Sequence, residues 1–406
     1  MVKKEVDRRD KLIYYLCIIG FFAIFSTTIS KNPVLSLYTQ ALGGKEIVIG
    51  LIAAFSPLAG ILFSFPVGIL SDRFGRKKFL VLAGAVFLTA PLLYIFVSSP
   101  YWLIPIRFFH GMATAILNPV ISAIIVSSYQ KNKGAKLGVY SSSTLIGRTL
   151  APLLGGFLIS YFALYASGLW NYKIVYLAAF IFAIPVFILS WIYKEKKFRK
   201  KTLRIKDFYL DLIYILKNKK ILSTSLIQMV TYFAFGAFET YLPIYLSLKG
   251  VPAFEIGAIF SIQILSIAFS QPIFGKIADK IDKRKQIVFG ILVLSIALSL
   301  VTSFSTSFEL TIIGIVFGLG LSFSIVATST YTAEIAKKDK LGASLGGLSS
   351  IMDVGHTTGP LITGIIISAF SFFWGFFASL VLSVVVILLF ILWNFQIKKR
   401  NMLRAI

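Results

Sequence analysis

Long apolar runs alternate with short polar breaks from near the start of the chain to its end. Twelve runs are long enough for a helix of roughly 20 residues to cross the hydrocarbon of a bilayer, at about 12–40, 46–70, 79–98, 101–127, 137–165, 172–193, 221–247, 253–278, 286–305, 308–335, 341–369 and 372–397. The strands of a membrane barrel are near 10 residues and alternate strictly, whereas a run such as SLVLSVVVILLFILW does not alternate. The pattern therefore predicts twelve transmembrane helices, each satisfying its backbone groups within itself. One long polar stretch divides them six and six: a first bundle over 1–193, a basic linker over 194–220 and a second bundle over 221–406. In the linker, Leu203, Ile205, Phe208, Leu212 and Ile215 stand among Lys and Asp, a spacing that fits either a helix lying on the membrane surface or a solvated connection.

Composition and charge sharpen this picture. At 57% hydrophobic and 14% charged over 406 residues, with a mean hydropathy of +0.85, the chain is far too apolar for a soluble domain. Its net charge of +25 does not point to nucleic acid, whose partners carry basic residues on a polar folded face. With the N-terminus inside, 35 of the 41 Lys and Arg fall in the two tails and the inner loops, and only Lys45, Lys173 and Lys249 in outer loops. That asymmetry predicts a protein of the cell (cytoplasmic) membrane with both termini in the cytoplasm and basic loops beside anionic lipid. The opening MVKKEVDRRDKLIYYLCIIGFF begins as a signal peptide does, but its apolar run outlasts the usual h-region with no prompt cleavage site, so it reads as a retained first span. Cys17 is the sole cysteine, which rules out an intramolecular disulfide.

The halves repeat. Adding 207 maps Tyr38 on Tyr245, Gly50 on Gly257, Gly68 on Gly275, Asp72 on Asp279, Lys78 on Lys285 and Gly111 on Gly318. Adding 208 maps Gly138 on Gly346, Gly147 on Gly355 and Pro152 on Pro360. Two parallel six-helix repeats describe a transporter with a small-molecule site between the halves at mid-membrane.

Three motifs name a family. GILSDRFGRKK at 68–78 resembles the signature between helices 2 and 3 of the major facilitator superfamily, G-x-L-x-D-R-x-G-R-[KR]-[KR]. RFFHG at 107–111 is similar to its helix 4 motif, R-x-x-x-G. GRTLAPLLGG at 147–156 is similar to the helix 5 motif G-x-x-x-G-P-x-x-G-G of drug/proton antiporters, with Ala151 where that pattern has Gly. The resemblance covers essentially the whole chain and points to the twelve-span drug efflux branch. It implies an all-α polytopic fold of two pseudo-symmetric six-helix bundles. It also implies that Asp72 holds the start of helix 11, and Asp279 that of helix 5, as a latch on the outward-facing state.

Physically, Gly68 and its repeat Gly275 are expected to let helices approach closely, and Gly75 to allow a tight turn. Arg73, Arg76 and Lys77 are placed to pair with Asp72 or with lipid phosphate; a purely topogenic basic hairpin is the alternative. In the family an acid at the inner end of helix 4 often completes this network, yet that end here reads IVSSYQ, with no acid. In GRTLAPLLGG and its counterpart GHTTGPLITG, Gly147, Gly155, Gly156, Gly355 and Gly359 permit close packing, and Pro152 and Pro360 interrupt the helices.

Ionisable groups inside a bilayer are costly and are functional candidates by default. Glu239 and Asp353 are the only acids well inside spans and are the candidate proton carriers. Arg107 joins them because the superfamily resemblance implies a part in proton transfer or in fixing helix 1; bonding to backbone carbonyls is its other reading. Lys31, Asn32, Arg148, Phe235, Phe238 and His356 are the candidate cavity residues. Lys31 and Glu239 lie one position from equivalence under the repeat, which suggests an ion pair between helices 1 and 7, or else a Lys31 extended to the outer interface. His110 and His356 either titrate near neutrality or pack with their hydrogen bonds satisfied.

Three functions fit these residues. The first is a proton-coupled exporter of apolar or cationic drugs, working by alternating access as a monomer. The second is a facilitator or symporter for a polar or anionic metabolite such as a sugar or organic acid. The third is a membrane sensor that transports nothing. No nucleophile–base set, Walker loop or metal-ligand cluster is read, so no enzyme activity, cofactor, metal or ATP drive is expected, and a proton gradient is the expected energy source. Reporter fusions after residues 78 and 285 should place both hairpins on the same, cytoplasmic face; opposite faces would contradict the repeat.

Overall fold

The computed structural model describes residues 2–129, 132–165, 168–195, 213–214, 217–337 and 341–403, and for 2–10, 341–343 and 394–403 the backbone alone. The surface helix considered for the linker rests on residues outside these. The first half contains α1 (Val2–Ile29), α2 (Val34–Ala41), α3 (Glu46–Phe74), α4 (Arg76–Ile95), α5 (Leu103–Ser128), α6 (Lys133–Phe162) and α7 (Trp170–Ile192). The second contains α8 (Lys219–Leu248), α9 (Ala253–Ala278), α10 (Lys283–Leu300), α11 (Ser307–Ile335), α12 (Leu341–Ala369) and α13 (Phe372–Leu403). Among the described residues there is no strand.

Eleven segments of the described chain are long and apolar enough to cross a membrane. The twelfth, α12, has the length, 29 residues, but is diluted by Asp353, His356 and a series of Gly, Ser and Thr. The protein is an all-α multi-pass membrane protein of two six-helix bundles. Its first span, expected to be continuous, is broken into α1 and α2. Pro33 has no N–H to donate, and Lys31 N–H and Asn32 N–H both turn back to the Thr28 carbonyl, at 3.0 and 2.9 Å.

The chain separates into two compact units: Met1–Thr202 with Pro243–Ser261, and Leu203–Leu242 with Ile262–Ile406. Residues 243–261, grouped with the second bundle by the sequence division, thus belong to the first unit. There Gly156 of α6 and Gly257 at the start of α9 stand backbone to backbone. A Cβ on either would strike a carbonyl, that of Ala253 or of Pro152, and Phe254 N–H donates to Ser160 Oγ at 3.0 Å.

Inside each unit the helices meet through glycines at repeated positions. In the first unit a Cβ at Gly147 would lie 2.7 Å from the Phe21 carbonyl, locking α6 on α1, and one at Gly111 2.6 Å from the Ser56 carbonyl, locking α5 on α3. In the second, Gly355 meets the Met229 carbonyl and Gly359 that of Phe233, locking α12 on α8, and a Cβ at Gly318 would lie 2.8 Å from the Gln263 carbonyl. Met229 is 208 residues after Phe21 and Gln263 is 207 after Ser56, so the duplication extends to the contacts.

Gly68 and Gly275 differ from expectation. A Cβ at either would meet nothing within 4 Å, so the structure gives them no close-packing role. Gly355→Val and Gly147→Val should each destabilise the purified protein by about 1–3 kcal/mol through overpacking, whereas Gly68→Ala and Gly275→Ala should unfold at the wild-type temperature. Thermal unfolding in detergent reads this directly, and an unaffected Gly355→Val would refute the packing.

Candidate functional site

In the second unit α8 and α12 bring two ionisable side chains together. His356 Nε2 lies 3.0 Å from Glu239 Oε2, and Glu239 is buried. The local sequence explains the approach. Gly236 stands one turn before Glu239 on α8, and a Cβ there would lie 2.8 Å from Pro360 Cδ and 3.2 Å from both Cδ2 and the carbonyl of His356. Its absent side chain is what lets the imidazole reach Glu239. Pro360, one turn beyond His356, leaves the His356 carbonyl without its intrahelical donor, and its own carbonyl accepts from Tyr241 Oη at 2.9 Å. Aromatic rings close the imidazole in, Phe235 at 5.6 Å and Tyr232 at 6.1 Å between centroids. Asp353, half-buried, stands three residues before His356, on the same face of α12.

Such a pair is suited to exchanging protons. With one proton shared, the carboxylate and imidazolium neutralise each other; a second proton, on the carboxylate, removes the attraction that holds the rings in place.

Phe238 is fully buried and stacked on Phe317, 4.2 Å between centroids and 6° between planes, and so is a packing residue of the second unit. Arg148 is exposed on α6. Lys31 and buried Asn32 sit in the turn between α1 and α2, in the first unit. Arg107 is buried in α5, and its Nε and Nη1 bond neither a carboxylate nor a backbone carbonyl among the described residues.

The two basic hairpins share a sequence pattern but are built differently. Gly75 has φ 102°, a conformation that favours glycine, and α3 turns through it directly into α4. Asp72 Oδ1 accepts from Arg76 Nε at 3.0 Å and Nη2 at 2.7 Å. Arg76 Nη1 donates to the Ala123 carbonyl at 2.8 Å and to the Ser127 hydroxyl. Ser127 thus occupies the place where the family pattern has an acid. The repeat equivalents of Arg76 and Ser127 are Lys283 and Glu334, and these form an ion pair at 2.7 Å. Arg73 is exposed and covers Phe74 at 5.4 Å, and Asp279 is exposed at the end of α9. Next to it Asp282 caps α10, and the hydrogen bonds from the Arg284 side chain hold its carboxyl below the usual carboxylate range.

Glu195 escaped the sequence reading. It accepts from Arg76 N–H at 2.8 Å and Lys77 N–H at 3.1 Å, closing the N-terminus of α4 from 119 residues away, where the helix dipole favours an anion. The available signal was a lone acid among the cations that open the linker. Together Lys77, Asp72 and Glu195 make the first hairpin a closed hydrogen-bonded network rather than a loose basic loop.

The family profile described as Major Facilitator Superfamily matches residues 16–257 and 224–402. The chain is 25% identical over 390 residues to the multi-drug resistance efflux pump PmrA of Streptococcus pneumoniae, covering 92% of this chain and 94% of that protein. It is 27% identical over 394 residues to the multidrug resistance protein MdtG of Yersinia enterocolitica, covering 92% and 90%. Its fold is similar to the crystal structure of the nucleoside transporter NupG, with a TM-score of 0.78 at 14% identity, covering 94% of this chain and 99% of that one.

Replacing Glu195 by Ala should lower stability by about 1 kcal/mol, while Lys78→Ala, at an exposed position of the same hairpin, should leave it unchanged. Equal thermal unfolding of the two variants would mean that water, not Glu195, satisfies the start of α4.

Proposed function

We propose, for a chain that belongs to the Major Facilitator Superfamily and is a transporter of that type, that it exports small apolar or cationic compounds in exchange for protons. In this reading it is driven by the proton gradient across the cell membrane, with both termini cytoplasmic. The observation that carries the reading is the 3.0 Å contact of Glu239 with His356. A carboxylate and an imidazole in contact can pass a proton between them, and they lie in an aromatic setting that suits apolar ligands. Asp353, one turn along α12, is the second carrier. Two relatives of the chain are named as multidrug pumps, which supports the substrate class.

In this cycle a proton on the Glu239–His356 pair and a substrate bias two conformations in opposite directions. Alternating access requires those conformations to lie within a few kcal/mol of each other. The second reading, a facilitator or symporter for a polar or anionic metabolite, is favoured by one observation, the buried and uncompensated charge of Arg107.

Proteoliposomes containing the purified protein test the reading. With an acidic lumen they should take up ethidium, a lipophilic cation, faster than without a gradient. Glu239→Gln should lower the gradient-driven rate by roughly a hundredfold or more, an effect of the size expected for losing a proton-transfer group. His356→Gln should lose the dependence on pH. Uptake that ignores the gradient in the wild type would overturn proton coupling.

A further inference from the structure

Between α2, α4, α5 and α7 the first unit encloses a polar cluster that the exporter reading does not use. Arg107 is 3% exposed, His110 1%, and Tyr94 and Tyr176 0%. Arg107 Nε and Nη1, both ring nitrogens of His110 and the hydroxyl of Tyr176 lack a hydrogen-bond partner among the described residues, and the Tyr94 hydroxyl faces the Arg107 guanidinium without a well-formed hydrogen bond. These groups are neighbours. Tyr94 and Tyr176 stack in parallel at 4.3 Å, the His110 ring is 5.8 Å from that of Tyr94, and the guanidinium lies within electrostatic reach of all three. The Tyr38 ring lies 5.5 Å from that of Tyr176, tilted by 54°, but its hydroxyl donates to the backbone carbonyls of Tyr94 and Val97, at 3.1 and 3.4 Å.

Two features set this cluster apart from ordinary packing. The first is charge: each of these side chains can donate a hydrogen bond, His110 through one of its two ring nitrogens, one is a permanent cation, and among the described residues no carboxylate pairs with it. A neutral molecule would satisfy the donors and leave the charge uncompensated, whereas an anion does both. The second is the internal duplication. The repeat equivalents of Arg107 and His110 are Gly314 and Phe317, and Phe317 stacks on Phe238 in an apolar layer. The second unit is therefore built without a counterpart to Arg107 or His110, so these two side chains are not there to complete a helix bundle.

We propose that Arg107, His110, Tyr94 and Tyr176 bind a small monoanion inside the first unit, either a free halide or the carboxylate of an organic ligand. The near-complete burial of all four side chains limits the occupant to a single small anionic group. The site does not rest on the exporter reading and is tested without a transport assay.

The experiment is thermal unfolding of the purified full-length protein, titrated with sodium chloride or sodium acetate against sodium gluconate at constant ionic strength. A saturable rise in Tm with chloride identifies the halide, and one with acetate alone identifies the carboxylate; either supports the site. Arg107→Gln should abolish the response. Tyr94→Phe, which removes one hydroxyl and keeps the ring stack, should weaken the apparent affinity roughly fivefold, so the test survives a poorly folding Arg107 variant. An identical, non-saturating response to all three salts, or a Tyr94→Phe titration that superimposes on wild type, overturns the proposal.

Discussion

A charge taken out of water into a helix bundle must be compensated by another group in the protein or by something that binds there. That constraint organises this molecule. Glu239 is hydrogen-bonded to His356 across α8 and α12, Arg76 is paired with Asp72, and Lys283 with Glu334 across α10 and α11. In each case the partners are held in register by contacts between helix backbones, so the electrostatics depend on the packing. Where the constraint is left unmet, at Arg107, the chain shows where an external group belongs.

The packing is itself duplicated. The glycines that seat α6 on α1 and α12 on α8 meet equivalent carbonyls, as do those between α5 and α3 and between α11 and α9. Two copies of one scaffold within a chain separate what the fold requires from what has been added. The fold requires small residues at those crossings. The additions are unequal: an arginine and histidine among tyrosines in the first unit, a glutamate and histidine among aromatics in the second. The same comparison explains how the first hairpin manages without a helix 4 acid. Arg76 turns to Ser127 and a carbonyl, and Glu195 supplies a carboxylate to the backbone at the start of α4.

Much of this was legible in the sequence because the signals are local. Span length, the placement of Lys and Arg, and the repeated Gly and Pro need only the neighbouring residues to be read, and the twelve crossings, the turn at Gly75 and the tight crossings at Gly147 and Gly355 follow from them. What was not legible depends on how each helix is rotated about its axis. Phe235 and Phe238 are equally plausible cavity residues in the sequence, yet one faces His356 and the other a packed phenyl layer. The pairing of Glu239 with His356 spans 117 residues and is set by Gly236, whose role is visible only once α12 is in place. Gly68 and Gly275 show the converse: a motif glycine does not by itself imply a close neighbour.

The central claim is that Glu239 and His356 act as one proton-binding unit. Because the chain has only 2 histidines, 15N-histidine NMR of the labelled protein in nanodiscs resolves them individually, and a His110→Gln sample assigns the signals. The account predicts that the His356 signal titrates and that its midpoint moves when Glu239 is replaced by Gln. A His356 midpoint identical in the two proteins would contradict it.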